Sequence, residues 1–279
     1  MLFRSKSQGL FIWASTLCNL IHRAPMPVAQ LDSLLLNTSG QLVQGLDSLY
    51  AATLEISHSW IGGDAGLWEH FRRVMAIILF CGINVDDATV DLMLGLPESK
   101  SSRHIVSHFS ALLQYEPGRP IRPLHASFRD YLTDGKRSGG RPWSLVSTDP
   151  EHLLAVGCFQ IMSNQLCFNI CGIRTSHKWD REYFNGSNTK EAISQELKYS
   201  CQYWGKHLKA AQTLDNRLVS LLETFSYQNF LFWFEVMRLS DLRHEARDMC
   251  KEIAKHVRVC NFGFIALISA SISEYSTDL

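Results

Sequence analysis

One short stretch limits what this chain can fold into. Residues 113–125 run Leu-Gln-Tyr-Glu-Pro-Gly-Arg-Pro-Ile-Arg-Pro-Leu-His. Pro117 presets the backbone angle for the second position of a tight turn, and Gly118 accepts the left-handed conformation that suits the third. A strand around residues 113–115, a turn over 116–120 and a returning strand over 121–125 are therefore expected. On either side, apolar residues recur at helical spacing. Residues 68–80 read as a strongly apolar helix, and Asp86-Asp87 opens a second helix with acidic groups suited to its first turn. Pro97-Glu98-Ser99 opens a third helix over 101–113. After His125, Phe128, Tyr131 and Leu132 form one apolar face, with Arg129 and Asp130 opposite. Three helices, a β-hairpin and a helix on its back make a winged-helix arrangement.

The flanking regions read as helical throughout. Residues 9–22 are apolar on most of their surface and stop at Pro25 and Pro27. Helices are expected over 31–36 and 46–56, the second presenting Leu46, Leu49, Tyr50, Thr53 and Leu54 on one face. Gly62-Gly63-Asp64-Ala65-Gly66 is a break, read as a subdomain boundary. Residues 135–142, Gly-Lys-Arg-Ser-Gly-Gly-Arg-Pro, read as a mobile basic linker. From 149 onward helices are expected over 151–166, 192–211, 214–225, 228–237 and 241–257, with a long loop over 169–188. Their paired cadence suggests a bundle or solenoid without a sustained repeat. The apolar piece 262–272 is too short to span a bilayer, and no membrane span is expected.

Composition narrows the function. Of 279 residues, 27 are Lys or Arg and 27 are Asp or Glu, so bulk charge does not direct the chain to nucleic acid or an acidic membrane. The eight cysteines are scattered, most of them within apolar helical pattern, where a thiol behaves as a small buried hydrophobe. A reducing, cytoplasmic setting is expected, leaving the sequons at Asn37 and Asn185 idle. Arg4 and Lys6 ahead of the apolar run 9–21 superficially copy a signal peptide. Gln8, Thr16 and Asn19 interrupt that run, so a packed helix is the expectation.

Candidate chemistry is sparse. His125, at a strand-to-helix corner, is placed to sense a phosphate, bind a metal or cap the turn. Cys167 and Cys171, with Cys158 and His177 nearby, lack the second pair that a zinc site needs. Cys201 and His207, six residues apart on a helix, point in different directions. No catalytic or metal-binding residue is assigned. The alternative function is nucleic-acid binding, with Lys100, Arg103, His104 and His108 on the third helix and Arg119 and Arg122 on the wing. Residues 67–143 hold ten Lys or Arg against eight Asp or Glu, which makes this reading the weaker one. The aromatic runs Tyr203-Trp204 and Phe232-Trp233-Phe234 read as helix-packing core rather than a peptide groove.

Several stretches, in order, resemble the region that follows the nucleotide-binding core of fungal NACHT-type signalling ATPases, the STAND class related to NOD-like immune receptors. They are GLFIWAST at 9–16, LDSLYAATLE at 46–55, PIRPLHASFRDYLTD at 120–134, ICGIR at 170–174, ELKYSCQYWGKHL at 196–208 and FLFWFEVMRL at 230–239. The resemblance implies a mainly α fold with four parts. These are a helical lid remnant over 1–66, a winged-helix domain over 67–134, a basic linker over 135–148 and an α-helical domain over 149–279. It also places His125 where a histidine of the plant receptors touches the β-phosphate of ADP, with Ala126 standing where those receptors carry aspartate. No glycine-rich loop ending in Lys-Ser/Thr is present. Ile77 to Phe80 ahead of Asp86-Asp87 only mimics a Walker B strand. The expectation is a truncated family member, or a gene model that has lost its 5′ half. It would not hydrolyse ATP alone, would meet ADP or ATP only through a core on another chain, and would act by binding a protein partner, an intact relative or itself.

Overall fold

The computed structural model of the chain describes residues 11–29, 46–59, 65–172 and 192–257. The expected helix over 31–36, the break at Gly62-Gly63, most of the 169–188 loop and the apolar piece 262–272 lie outside these residues. So do His177, Cys260 and both sequons. The fold is mainly helical, with one small two-stranded antiparallel hairpin among the described residues. No described helix is long and apolar enough to cross a membrane. The chain forms two compact units, one running to Thr148 without Leu92–Gly95, the other made of Leu92–Gly95 and the chain from Asp149.

The first unit contains α1 (Phe11–Arg23), α2 (Leu46–Ser59), α3 (Ala65–Phe80) and the start of α4 (Asp87–Leu94). A 3-10 turn (Glu98–Lys100), α5 (Ser102–His108), β1 (Leu113–Gln114), β2 (Arg122–Pro123), α6 (Ala126–Thr133) and α7 (Gly135–Ser138) follow. Helix α3 buries Phe71 and the run from Val74 to Leu79, as its nearly continuous apolar sequence requires. Around it, Trp68 packs on Phe71 and Trp143 at ring separations of 5.7 and 5.1 Å, and Phe71 meets Phe109 edge-on at 4.7 Å. Tyr50 on α2 meets Phe128 on α6 at 5.2 Å.

Two elements are shorter than their sequence suggests. The ladder pairs only Leu113 with Pro123 and Gln114 with Arg122: the Leu124 N–H still reaches the Leu112 carbonyl at 3.0 Å, but the Leu112 N–H that would complete the next pair is turned onto the Phe109 carbonyl. Helix α5 stops at His108, and the Leu112 and Leu113 N–H groups close turns onto the Phe109 carbonyl instead. The turn itself forms as read: the Arg119 N–H donates to the Glu116 carbonyl at 2.9 Å, with Gly118 at φ +70°. Residues 135–148, read as a mobile basic linker, instead belong to the first unit. Trp143 and Leu145 are buried, the Trp143 indole N–H donates to the Tyr131 hydroxyl at 2.9 Å, and Arg137 forms a bidentate pair with Asp47. Apolar anchors among the basic residues hold the segment down.

The second unit contains α8 (Pro150–Gln165), α9 (Gln195–Ala210), α10 (Asn216–Thr224), α11 (Phe230–Leu239) and α12 (Arg243–Val257). Asp149, Ser194 and Asp215 cap the first three of these, each side chain accepting a backbone N–H three residues on. Helix α8 is buried over most of its length. Two glycines allow close helix contacts: a Cβ on Gly157 would sit 3.0 Å from Met93 Cβ, and one on Gly205 would sit 2.6 Å from Met249 Cγ. Phe159, Trp204, Phe225 and Trp233 form the aromatic centre, with Trp204 and Phe225 at 4.9 Å. The Trp233 indole N–H donates to the Cys201 carbonyl at 2.8 Å. The helices read separately over 214–225 and 228–237 are joined without a break by a π-helical turn, Phe225–Asn229. No glycine or proline separates them, so the backbone stays helical and absorbs one residue too many in a wider turn.

The first turn of α8 is tied to its neighbours by side chains. Asp149 accepts the Gln212 N–H at 2.7 Å, and Glu151 accepts from His207 Nδ1 at 2.6 Å. His207 Nε2 then accepts the Tyr199 hydroxyl at 2.8 Å, which makes the imidazole a neutral link between the two. Burial pushes the His207 pKa below its ordinary value, the Glu151 carboxylate pulls it back up, and Lys206 adds to the depression. A folded pKa lower than the unfolded one means that the unfolded chain takes up the extra proton as pH falls. Stability of this unit is therefore expected to be constant above pH about 7 and to fall as pH drops below about 6.5. His207→Gln should flatten that slope in thermal melts recorded from pH 7.5 to 5.

Candidate functional site at the hairpin and the His125 corner

Asp86 and Asp87 open α4 but have different tasks. Asp86 caps the helix, accepting the Thr89 N–H at 2.8 Å. Asp87 is only 2% exposed, and its carboxylate is surrounded by donors. Arg103 on α5 donates from Nε at 3.0 Å and Nη2 at 2.9 Å, the Tyr115 hydroxyl donates at 3.1 Å, and the Gly118 N–H donates at 3.1 Å. Burial alone would raise the Asp87 pKa, but these donors hold it below the usual carboxylate value. One carboxylate thus joins α4, α5 and the hairpin turn. Next to it, Asp91 accepts the Ser101 hydroxyl and the Ser102 N–H, both at 2.6 Å, which anchors the start of α5.

His125 ends the hairpin as the N-cap of α6, in extended conformation at φ −148°. Its Nδ1 accepts the Ser127 N–H at 3.2 Å and lies 2.7 Å from the Ser127 hydroxyl, which is itself 2.7 Å from the Tyr50 hydroxyl on α2. The arrangement that satisfies all three groups has Tyr50 donating to Ser127 and Ser127 donating to Nδ1. In that arrangement both Ser127 groups point at Nδ1. Of the three roles open to this histidine, the structure shows the cap, made by an imidazole nitrogen where a short oxygen side chain is usual.

The other candidate residues are divided between two places. Arg103 stays 59% exposed while its guanidinium is held by Asp87. Arg119 and Arg122 are exposed on the hairpin, Arg119 beside the Gly118 that Asp87 grips. Lys100 and His104 are exposed where α5 begins. His108 folds back, its Nδ1 bonded to the His104 carbonyl. Sequence reading missed Asp87 as a hub. The inward position of Asp87, one residue past the cap, was the available signal. Among the described residues no group of His, Cys, Asp and Glu could hold a metal. Cys158, Cys201 and Cys250 are buried thiols, and burial pushes Cys250 up to about 12 and Cys201 higher, so neither is a nucleophile. Compared with known proteins, the chain matches no family model, no curated protein and no solved structure.

Two substitutions separate structural from other duties. Asp87→Ala is expected to cost about 1–3 kcal/mol in urea unfolding, since it removes the one buried carboxylate that ties α4 to α5 and the hairpin turn. His125→Ala should cost about 1 kcal/mol, whereas His125→Asn, a good capping residue, should cost much less. Equal losses for the two would show that His125 does more than cap.

Proposed function

We propose that this chain is a non-catalytic regulatory and protein-interaction module. It resembles the lid, winged-helix and helical parts that follow the nucleotide-binding core in NACHT-type STAND ATPases. The observation that best supports this reading is the set of ties between α2 and residues 127–141. Tyr50 is bonded to Ser127, Asp47 to Arg137 and Glu55 to Arg141. In the terms of the resemblance these bonds join the lid remnant to the winged helix and linker, the parts that an intact relative would hold closed around ADP. His125 is exposed and belongs to that set through Ser127, so a phosphate beside it would act on the same joint. The chain carries no loop of its own to hold a nucleotide. A core on a partner protein would have to supply it, and His125 would be this chain's contribution to such a site.

Binding measurements on the purified full chain test the proposal. Calorimetry is expected to show no ADP or ATP binding tighter than about 1 mM. Sedimentation should show self-association, because a module of this kind would act by binding a relative or a second copy of itself. A tight nucleotide complex would overturn the module reading. Tight binding of random duplex DNA at physiological salt, with a steep salt slope, would favour the nucleic-acid alternative instead.

A further inference from the structure

We infer that two copies of this chain pair through α11 and the π-helical turn before it, antiparallel about a two-fold axis, along the stripe of Tyr227, Leu231, Phe234 and Arg238. The inference rests on the self-association expected of the module and names the surface that carries it.

Exposed apolar side chains of the second unit gather on one side of α11. Leu231 is 77% exposed, and Tyr227, one turn earlier in the π-helical turn, is 71% exposed. Phe234 is half-buried, and Arg238 in the last turn is exposed. The inner side of the same helix is taken by Trp233, Val236 and Met237, all buried. Beside the stripe, the Asn169 N–H donates to a Glu235 carboxylate oxygen at 3.2 Å. That bond holds the turn carrying Phe168, 81% exposed, against the helix one turn past Leu231. Three large apolar side chains thus lie open to solvent along one helix, a cluster and not the single scattered residues that a surface ordinarily shows.

The order of the residues selects the occupant. Steps of four, three and four separate Tyr227, Leu231, Phe234 and Arg238, the spacing of one helix face. The steps are the same read backwards. A second copy laid antiparallel therefore sets Leu231 against the Phe234 of the other copy and Tyr227 against its Arg238, and the two-fold axis repeats both pairs. The first pair is apolar, and the second brings a guanidinium to a phenol ring, an attraction of its own. Antiparallel helices also place opposite dipole ends side by side. A lipid surface would ask for several cations beside the apolar residues, whereas α11 carries Arg238 alone. A stable interface buries about 800 Å² per partner, so the stripe forms the centre of the contact and Phe168 lies toward its rim.

Sedimentation velocity on the full chain over the micromolar range tests the pairing. The wild type is expected to show a monomer–dimer equilibrium. Leu231→Arg should weaken the dimer about a hundredfold, because a two-fold contact meets each substitution twice. Val146→Arg, at an exposed apolar position in the first unit, should leave it unchanged. The register has its own check. Tyr227→Glu, facing the Arg238 of the other copy, should keep the dimer and make it salt-sensitive, whereas Tyr227→Arg should weaken it about tenfold. Circular dichroism would verify that each variant is folded. A dimer that survives Leu231→Arg, or that responds equally to the two Tyr227 variants, overturns the proposal and leaves the module's self-association to another surface. A wild type that stays monomeric overturns the pairing and leaves the stripe to a partner of different sequence, while the nucleotide measurement still decides the module reading.

Discussion

The Asp87 carboxylate is the constraint on which the first unit is built. A charge removed from water costs several kcal/mol unless donors replace the lost solvation. Here the replacement comes from a guanidinium on α5, a phenol after β1 and a backbone N–H in the hairpin turn. Each of those groups can reach Asp87 only if its own element is in place. The carboxylate therefore sets the position of three elements together, and a two-residue ladder too short to be stable alone persists because its turn is held from outside. The Gly118 conformation matters for the same reason, since its N–H reaches Asp87 from a residue with positive φ.

The second unit depends on apolar contact instead. Its aromatic centre is buried, and the helices around it approach closely where Gly157 and Gly205 leave out a side chain. Its polar ties are concentrated at the first turn of α8, where Asp149, Glu151 and His152 meet the loop and helix ends that follow. The His152 Nε2 lies 3.2 Å from an Asp215 carboxylate oxygen, a looser tie than the two bonds that His207 makes. The unit thus joins a pH-insensitive core to a junction that contains a histidine.

Much of this was legible before the structure. The α2 face of Leu49, Tyr50, Thr53 and Leu54 is buried as its spacing indicates, because one apolar stripe on a helix has one place to go. The Pro-Gly turn was legible because two residue types allow little else. Lengths were harder: the turn from Leu112 onto Phe109 ended the ladder early, and the π turn merged α10 with α11, since periodicity marks faces and not the fate of the residues between them. Residues 135–148 misled because composition counted Lys136, Arg137 and Arg141 and not the single Trp143 that anchors them.

The sequence by itself determined the order of the described helices, the hairpin at 113–123 and the residues available for chemistry, all consequences of local backbone preference and apolar spacing. Tertiary structure alone decided the partners. His125 became a cap tied to Tyr50, 75 residues away, Asp87 became a hub, and His207 turned from Cys201 to Glu151 and Tyr199. The physical reason is that a hydrogen bond depends on two groups arriving within about 3 Å of each other. Sequence spacing predicts such an encounter within one helix, but across elements it follows from how the cores pack.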